Sequence, residues 1–305
     1  MKNLTIRQLR YFDAVARHGH FGRAAEACAV SQPALSMQIK ELEDMLGYAL
    51  FERNTRQVVL TGLGDVFATH ARKILRAVEE LESLAHISQT RPVGRLRLGV
   101  IPTVGPYFLP AVFESLLRHY PDLELHICET LTLNLIRDLH DNRLDVALVA
   151  LPVSDPSLFE FPLFSEEFFL ARPLCEAGKP APDPHDLRHM RLLLLQEGHC
   201  FREQALAFCG IRAHLMPAFQ ILDASSLSTL VQMVGVGMGV TFLPSMSIPM
   251  EGHNAAIDII ALNPPQPVRT IGMVWRKTHT LHHQFEALAE TLKRTATPTT
   301  DQASA

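Results

Sequence analysis

Apolar positions in the first sixty residues recur at helical spacing between short turns. Leu9, Phe12, Val15 and Ala16 lie three, three and one apart, and His18-Gly19-His20 interrupts them. The segment Phe21-Gly22-Arg23-Ala24-Ala25-Glu26-Ala27-Cys28 predicts a second helix whose alanines let another helix approach closely. Ser31 is placed to cap a third, with Pro33 in the first turn where a missing N–H costs little. That helix buries Leu35, Ile39, Leu42 and Leu46 and stops at Gly47. Residues 51–60 predict two short strands around a polar, basic turn, a wing beside the helices. From 63 to 87 there is no proline, and Ile74, Val78, Leu81 and Ala85 are spaced four, three and four apart. This predicts a rod about 37 Å long with a coiled-coil-like seam that needs a partner helix.

After a linker at 89–94 the pattern changes to strands alternating with helices. Strands are predicted at 96–101, 123–128, 144–151, 168–171, 192–195, 240–243, 257–262 and 270–275. Helices are predicted at 109–119, 132–141, 227–236 and 281–294. The fold class is therefore α/β: a winged helix-turn-helix at 1–62, a linker helix and hinge at 63–94, an effector-type domain at 95–295 with two lobes and a cleft, and a disordered tail at 296–305.

Composition narrows the function. Hydrophobic residues make up 47% and charged residues 20% of 305, and no apolar run approaches the roughly 18 residues of a membrane span. With no secretory pattern at the start, a cytoplasmic location is expected. The net charge of −4 divides into +2 over residues 1–60 and −6 over the rest, so DNA binding has to come from arrangement rather than balance. Five scattered cysteines argue against a disulfide framework and against paired zinc spacing. Gly235-Val236-Gly237-Met238-Gly239 lacks nucleotide-binding spacing and reads as a helix-to-strand turn. His279, His282 and His283 have no matching acidic or cysteine cluster and read as a solvated helix face. No metal and no cofactor are expected.

Two constellations carry chemistry. The exposed face of the third helix offers Ser31, Gln32, Pro33, Ser36, Met37 and Lys40 to base edges, with Arg23, Arg53 and Arg56 for phosphates or the minor groove. The same face is also compatible with simple solvation. The second is 198–209. Cys200 falls at the start of a helical stretch, where the dipole favours a thiolate and a protonated His199 or an arginine would favour it further. Cys209 lies nine residues on, and residue pattern alone leaves both as possible packing cysteines. Cys28, Cys128 and Cys175 read as packing residues.

The run 21–28, followed by Val30-Ser31-Gln32-Pro33-Ala34-Leu35-Ser36, Leu42-Glu43 and Phe51-Glu52-Arg53, resembles the N-terminal signature of LysR-type transcriptional regulators. The resemblance implies a winged helix-turn-helix, a dimerising linker helix and a two-lobed effector domain like a periplasmic binding protein. It also implies a homodimer or homotetramer on double-stranded promoter DNA that engages RNA polymerase. Gly198-His199-Cys200 with Arg202, Gln204-Ala205 and Phe208-Cys209 looks like the redox segment of the peroxide-sensing members, and 101–107 and 269–272 share the likeness. That likeness implies a sensor of hydrogen peroxide controlling oxidative-stress genes, in which Cys200 is oxidised to a sulfenic acid and Cys209 resolves it as a disulfide. Thr103, Thr132, His199 and Arg269 would hold the peroxide or the thiolate. The alternative is a regulator answering to a metabolite in the interlobe cleft, with Thr103 and Thr132 as ligand contacts. A thiol peroxidase enzyme is disfavoured, since it has no use for a winged helix-turn-helix.

Overall fold

The computed structural model describes residues 4–53, 58–84, 94–121, 123–211, 221–253 and 255–296. The chain forms two compact units, residues 1–88 and 89–305.

In the first unit, α1 (Ile6–His18) opens with a capping box between Thr5 and Gln8 and stops at Gly19, whose left-handed φ of +58° suits glycine. α2 (Phe21–Ala27), α3 (Gln32–Leu46), β1 (Phe51–Arg53), β2 (Val58–Leu60) and α4 (Gly62–Leu84) follow. Phe12, Val15, Ala24, Leu35, Ile39, Leu42 and Leu50 form a core sealed from solvent. Asp13, 6% exposed, accepts from Arg72 Nε on α4 and from Arg17 Nη2, each at 2.8 Å, which ties α4 to α1. β1 and β2 pair antiparallel as the wing. On α4 the seam residues Ile74 and Leu81 are exposed, Val78 is half-buried, and Ala85 lies outside the described residues.

The second unit contains β3 (Gly94–Val100), α5 (Gly105–His119), β4 (Leu123–Glu129), α6 (Thr132–His140), β5 (Val146–Leu151) and β6 (Leu158–Pro173). It continues with α7 (Pro184–Leu187), β7 (Leu192–Leu195), α8 (Cys200–Phe208), β8 (Ile221–Ala224), α9 (Leu227–Gly235) and β9 (Thr241–Pro244). α10 (Ile248–Glu251), β10 (Ile257–Ala261), β11 (Val268–Arg276) and α11 (His282–Ala296) complete it. A seven-stranded sheet runs β10-β6-β11-β5-β3-β4, with β9 also on β6, while β7 and β8 pair in parallel beside it. β3 is parallel to β4 and β5, and β11 is antiparallel to β5 and β6. β6 joins two lobes: Leu158–Glu167 pair with β11 over one core, and the rest pair with β9 and β10 over the other.

Several expectations are corrected. β6 begins ten residues before the predicted strand, because Pro162 reads as a breaker; it is tolerated where the pairing with β11 slips between Ile271 and Gly272. β8 was not predicted. α5 starts at Gly105 rather than 109, accommodating Pro106 in its first turn and Pro110 within. α11 includes Ala296, the first residue assigned to the tail, and Thr295 Oγ1 donates to Ser115 Oγ at 2.9 Å; residues 297–305 lie outside the described residues. Only His283 of the three histidines is solvated. His279 is buried before the helix begins, and His282 accepts from Trp275 Nε1 at 2.9 Å. Cys175 is exposed rather than packed, whereas Cys28 and Cys128 are half-buried.

Candidate functional site

β7, fully buried, delivers the chain to a turn at Gly198. Glycine suits the turn because φ is +93°, and a Cβ there would stand 2.9 Å from Leu131 Cδ1, so that the Leu131 tip would have to shift. His199 then occupies the N-cap and Cys200 the first helical position of α8. The His199 side chain makes no cap hydrogen bond, so the helix presents its N-terminus to Cys200 without a capping side chain. Phe201, Ala205 and Leu206 hold α8 in the second core, with Phe201 against Phe168 at 4.8 Å between ring centroids. Arg202 turns away from the thiol. Its Nη1 donates to Leu195 O at 2.8 Å and to Asp223 Oδ1 at 2.6 Å, clamping α8 to β7 and β8.

Cys200 lies in a small recess with Ile101, Pro102, Thr103, Leu131, Thr132, His199 and Phe201. The sequence-predicted residues Thr103, Thr132, His199 and Cys200 thus come together from three separate loops and helix starts. Thr132 is the first residue of α6, and its Oγ1 is buried with no hydrogen-bond partner among the described residues. Thr103 is 3% exposed, and its Oγ1 accepts from Arg269 Nη1 at 2.9 Å, which frees its own proton to point elsewhere. Arg269 stands behind Thr103 rather than in the recess. Its Nε donates to the buried Glu166 at 2.8 Å, its Nη2 to Thr103 O at 3.1 Å, and it lies over the Phe201 ring. Burial lowers the pKa of His199, so its imidazole is neutral at pH 7. The surroundings of Cys200 are thus an uncharged ring, hydroxyls and a helix terminus, with neither a protonated histidine nor an arginine among the described residues beside the thiol.

Cys209 occupies the other end of α8, as its C-cap, and is sealed in the second core. Burial pushes its thiol up to about 12, only partly opposed by Arg188. Arg188 Nε donates to the Cys209 carbonyl at 2.7 Å. Nine residues of helix separate the two thiols by about 13.5 Å along the axis, against a limit near 7 Å between Cα atoms for a disulfide.

On the first unit, Ser31, Gln32, Pro33, Met37 and Lys40 are exposed along the start and outer face of α3, and Ser36 is half-buried. Ser31 holds the N-cap position without making a side-chain cap bond. Met37, an apolar side chain 56% exposed between polar neighbours, suits a thymine methyl. Arg23 is exposed, with Nη2 on His18 O at 2.9 Å. Arg53 ends β1, while its side chain and Arg56 lie outside the described residues.

Sequence reasoning missed Glu166 and Leu131. Glu166 sits in a Ser-Glu-Glu run that reads as surface, and only the fold shows that it faces Arg269 inside the protein. Leu131, at the N-cap of α6, carries no chemical signal of its own. The cleft expected in this domain lies beside the recess and holds about 430 Å³; Thr103 lines it as expected, while its lining residues Tyr107, Glu129, Ser226, Ser228 and Glu251 were not foreseen. Tyr107 Oη and Ser228 Oγ both donate to Glu251 Oε1, at 2.8 and 2.6 Å. Among the described residues, no group of three or more His, Cys, Asp or Glu is arranged to hold a metal ion.

Residues 6–65 match the bacterial regulatory helix-turn-helix protein family of lysR type, and residues 89–297 match the LysR substrate binding domain. Over 295 residues the chain is 39% identical to the DNA-binding transcriptional dual regulator OxyR of Escherichia coli (strain K12), covering 95% of each. It is equally identical to the hydrogen peroxide-inducible genes activator of Pectobacterium carotovorum subsp. carotovorum, over 95% of this chain and 96% of that one. Among solved structures it resembles full-length Pseudomonas aeruginosa OxyR carrying a cysteine-to-aspartate substitution, with a TM-score of 0.74, 35% identity and 96% of each chain covered. It also resembles a cysteine-to-serine mutant of Corynebacterium glutamicum OxyR with hydrogen peroxide bound, with a TM-score of 0.66, 35% identity and coverage of 97% and 93%. The chain belongs to the LysR family of bacterial transcription regulators, among its OxyR members.

Proposed function

We propose that this regulator senses hydrogen peroxide through Cys200 and Cys209 and activates transcription from promoter DNA read by α3. The observation that carries the reading is the pairing of opposites on α8: a half-buried thiol at a helix N-terminus beside two threonine hydroxyls, and a deeply buried thiol at the other end. The Cys200 thiolate attacks one peroxide oxygen; an S–O bond forms, the O–O bond breaks, and hydroxide leaves and takes up a proton. Thr132 Oγ1, buried and unpartnered, and the Thr103 hydroxyl supply donors for the oxygen on which charge develops. Cys209 then attacks the sulfenic sulfur, forming S–S as the S–O bond breaks and water departs.

The second step cannot occur on an intact α8, given the separation of its ends. Closing a loop of about ten residues costs the melted segment about 2.7 kcal/mol, which bond formation has to offset; once the S–S bond exists, its geometry excludes the intact helix. Melting withdraws Phe201, Ala205 and Leu206 from the second core and pulls on the Arg202 clamp. Repacking of the effector domains would then re-space DNA-reading heads in a homodimer or homotetramer, with RNA polymerase as the partner that reads the change. The protein works by stoichiometric switching rather than as an enzyme, in the cytoplasm; no helix among the described residues is long and apolar enough to cross a membrane.

Footprinting on a promoter, with the reduced protein and after near-stoichiometric peroxide, tests this. The footprint is expected to shift in wild type and stay fixed in Cys200→Ser. An unshifted footprint in oxidised wild type overturns the proposal.

A further inference from the structure

Leu131 belongs to two spaces at once. The recess around Cys200 is too tight in this conformation to admit a water molecule, while the adjoining cleft holds about 430 Å³. Four residues, Pro102, Thr103, Leu131 and His199, line both. An oxidant arriving from the cleft meets Cys200 only across this shared wall.

Three of the four are held in place. Pro102 is fixed by its ring. Thr103 is pinned through its side chain and its carbonyl by Arg269. His199 is 8% exposed at the N-cap of α8, next to the thiol itself. Leu131 differs: it is half-buried, has no polar group to anchor its side chain, and can turn between staggered rotamers. Its tip lies over the bare backbone of Gly198, where a Cβ would stand 2.9 Å from Cδ1. The absence of a side chain at 198 is what lets Leu131 close down so near to Cys200.

We propose that Leu131 is a specificity-determining residue for oxidation of Cys200, closing the recess to alkyl hydroperoxides while yielding to hydrogen peroxide. The proposal rests on the reading of Cys200 as the peroxide-reactive thiol. The chemistry is the same for either oxidant. The thiolate attacks the OH oxygen of ROOH, the S–O bond forms, and the O–O bond breaks. Sulfur is oxidised to the sulfenic acid, and the peroxide is reduced to an alkoxide or hydroxide that takes a proton from water. Only the bulk of R differs, so Leu131 acts on access and not on the reaction.

The test uses the full-length reduced protein and two oxidants, hydrogen peroxide and tert-butyl hydroperoxide. The rate constant for Cys200 sulfenic acid formation is measured with each. In Leu131→Ala, which removes three carbons from the wall, the rate with tert-butyl hydroperoxide is expected to rise about tenfold or more, the scale on which apolar pockets discriminate by size. The hydrogen peroxide rate is expected to stay within about threefold of wild type on the same grounds. Should Leu131→Ala fail to fold, Leu131→Val is expected to shift the ratio of the two rates in the same direction by less. An unchanged ratio in a folded variant, with normal hydrogen peroxide reactivity, overturns the role of Leu131. If wild-type Cys200 reacts with neither oxidant, the peroxide reading itself fails.

Discussion

Cys200 and Cys209 stand at opposite ends of one nine-residue helix, and their surroundings differ in access, charge and packing. The Cys200 end meets a helix N-terminus, two threonine hydroxyls and a neutral imidazole, in a recess that borders an open cleft. The Cys209 end is sealed among apolar side chains and its thiol is held protonated. One end is suited to meet an oxidant, and the other keeps its thiol inert until the helix opens. On the proposed reading, the same helix that separates the two thiols also keeps the second one buried and protonated.

The largest expected effect breaks the pair outright: Cys200→Ser should abolish peroxide-dependent disulfide formation, read by mass spectrometry after thiol blocking, while Cys209→Ser should still form a sulfenic acid at Cys200. Next is differential labelling. With its thiol at about 12 against an ordinary 9.0, Cys209 should carry on the order of a thousandfold less thiolate near pH 8 than an unperturbed cysteine. Iodoacetamide should label it correspondingly slowly in the native reduced protein. The same shift has a consequence for stability. As pH rises past 9 the unfolded chain releases this proton and the native one does not, so stability is intact below pH 9. It falls by about 1.4 kcal/mol per unit toward 12. Urea unfolding between pH 9 and 11 should show this component of the slope in wild type and its loss in Cys209→Ala.

Smaller effects sharpen the contrast. Thr132→Val, which keeps shape and removes the hydroxyl, should slow Cys200 oxidation by about 10- to 100-fold, somewhat less than loss of a strong oxyanion donor. Stopped-flow oxidation kinetics check this. Arg202→Lys weakens the clamp on Leu195 O and Asp223, and should speed the closing step after sulfenic acid formation by about tenfold, the scale of one charged hydrogen bond. Smallest is Lys40→Ala on the DNA-reading unit, which should reduce the slope of log affinity against log salt by about 1 and leave the oxidation kinetics untouched.

Much of this was legible in the sequence where a local rule applied. The spacing of Leu35, Ile39 and Leu42 gave α3 its buried face, and Ser31, Gln32, Pro33, Met37 and Lys40 are exposed as expected, with Ser36 half-buried. The helical stretch between the cysteines, and hence the distance separating them, follows from the same periodicity. What the sequence concealed depends on tertiary packing. Burial by neighbouring elements lowers the pKa of His199 below its ordinary value and removes the minor protonated form, which local sequence does not show. Arg269 reads as a free cation until Glu166, 103 residues away, is folded against it. Leu131 reads as filler because its meaning comes from the glycine opposite.

The central claim is that oxidation melts α8, and hydrogen exchange measured together with disulfide mapping tests it most directly. After one equivalent of hydrogen peroxide, a peptide linking Cys200 to Cys209 should appear, and the backbone amides of 203–208 should lose the protection they have in the reduced protein. A linked peptide with those amides still protected, or oxidation of Cys200 without any linked peptide, would contradict it.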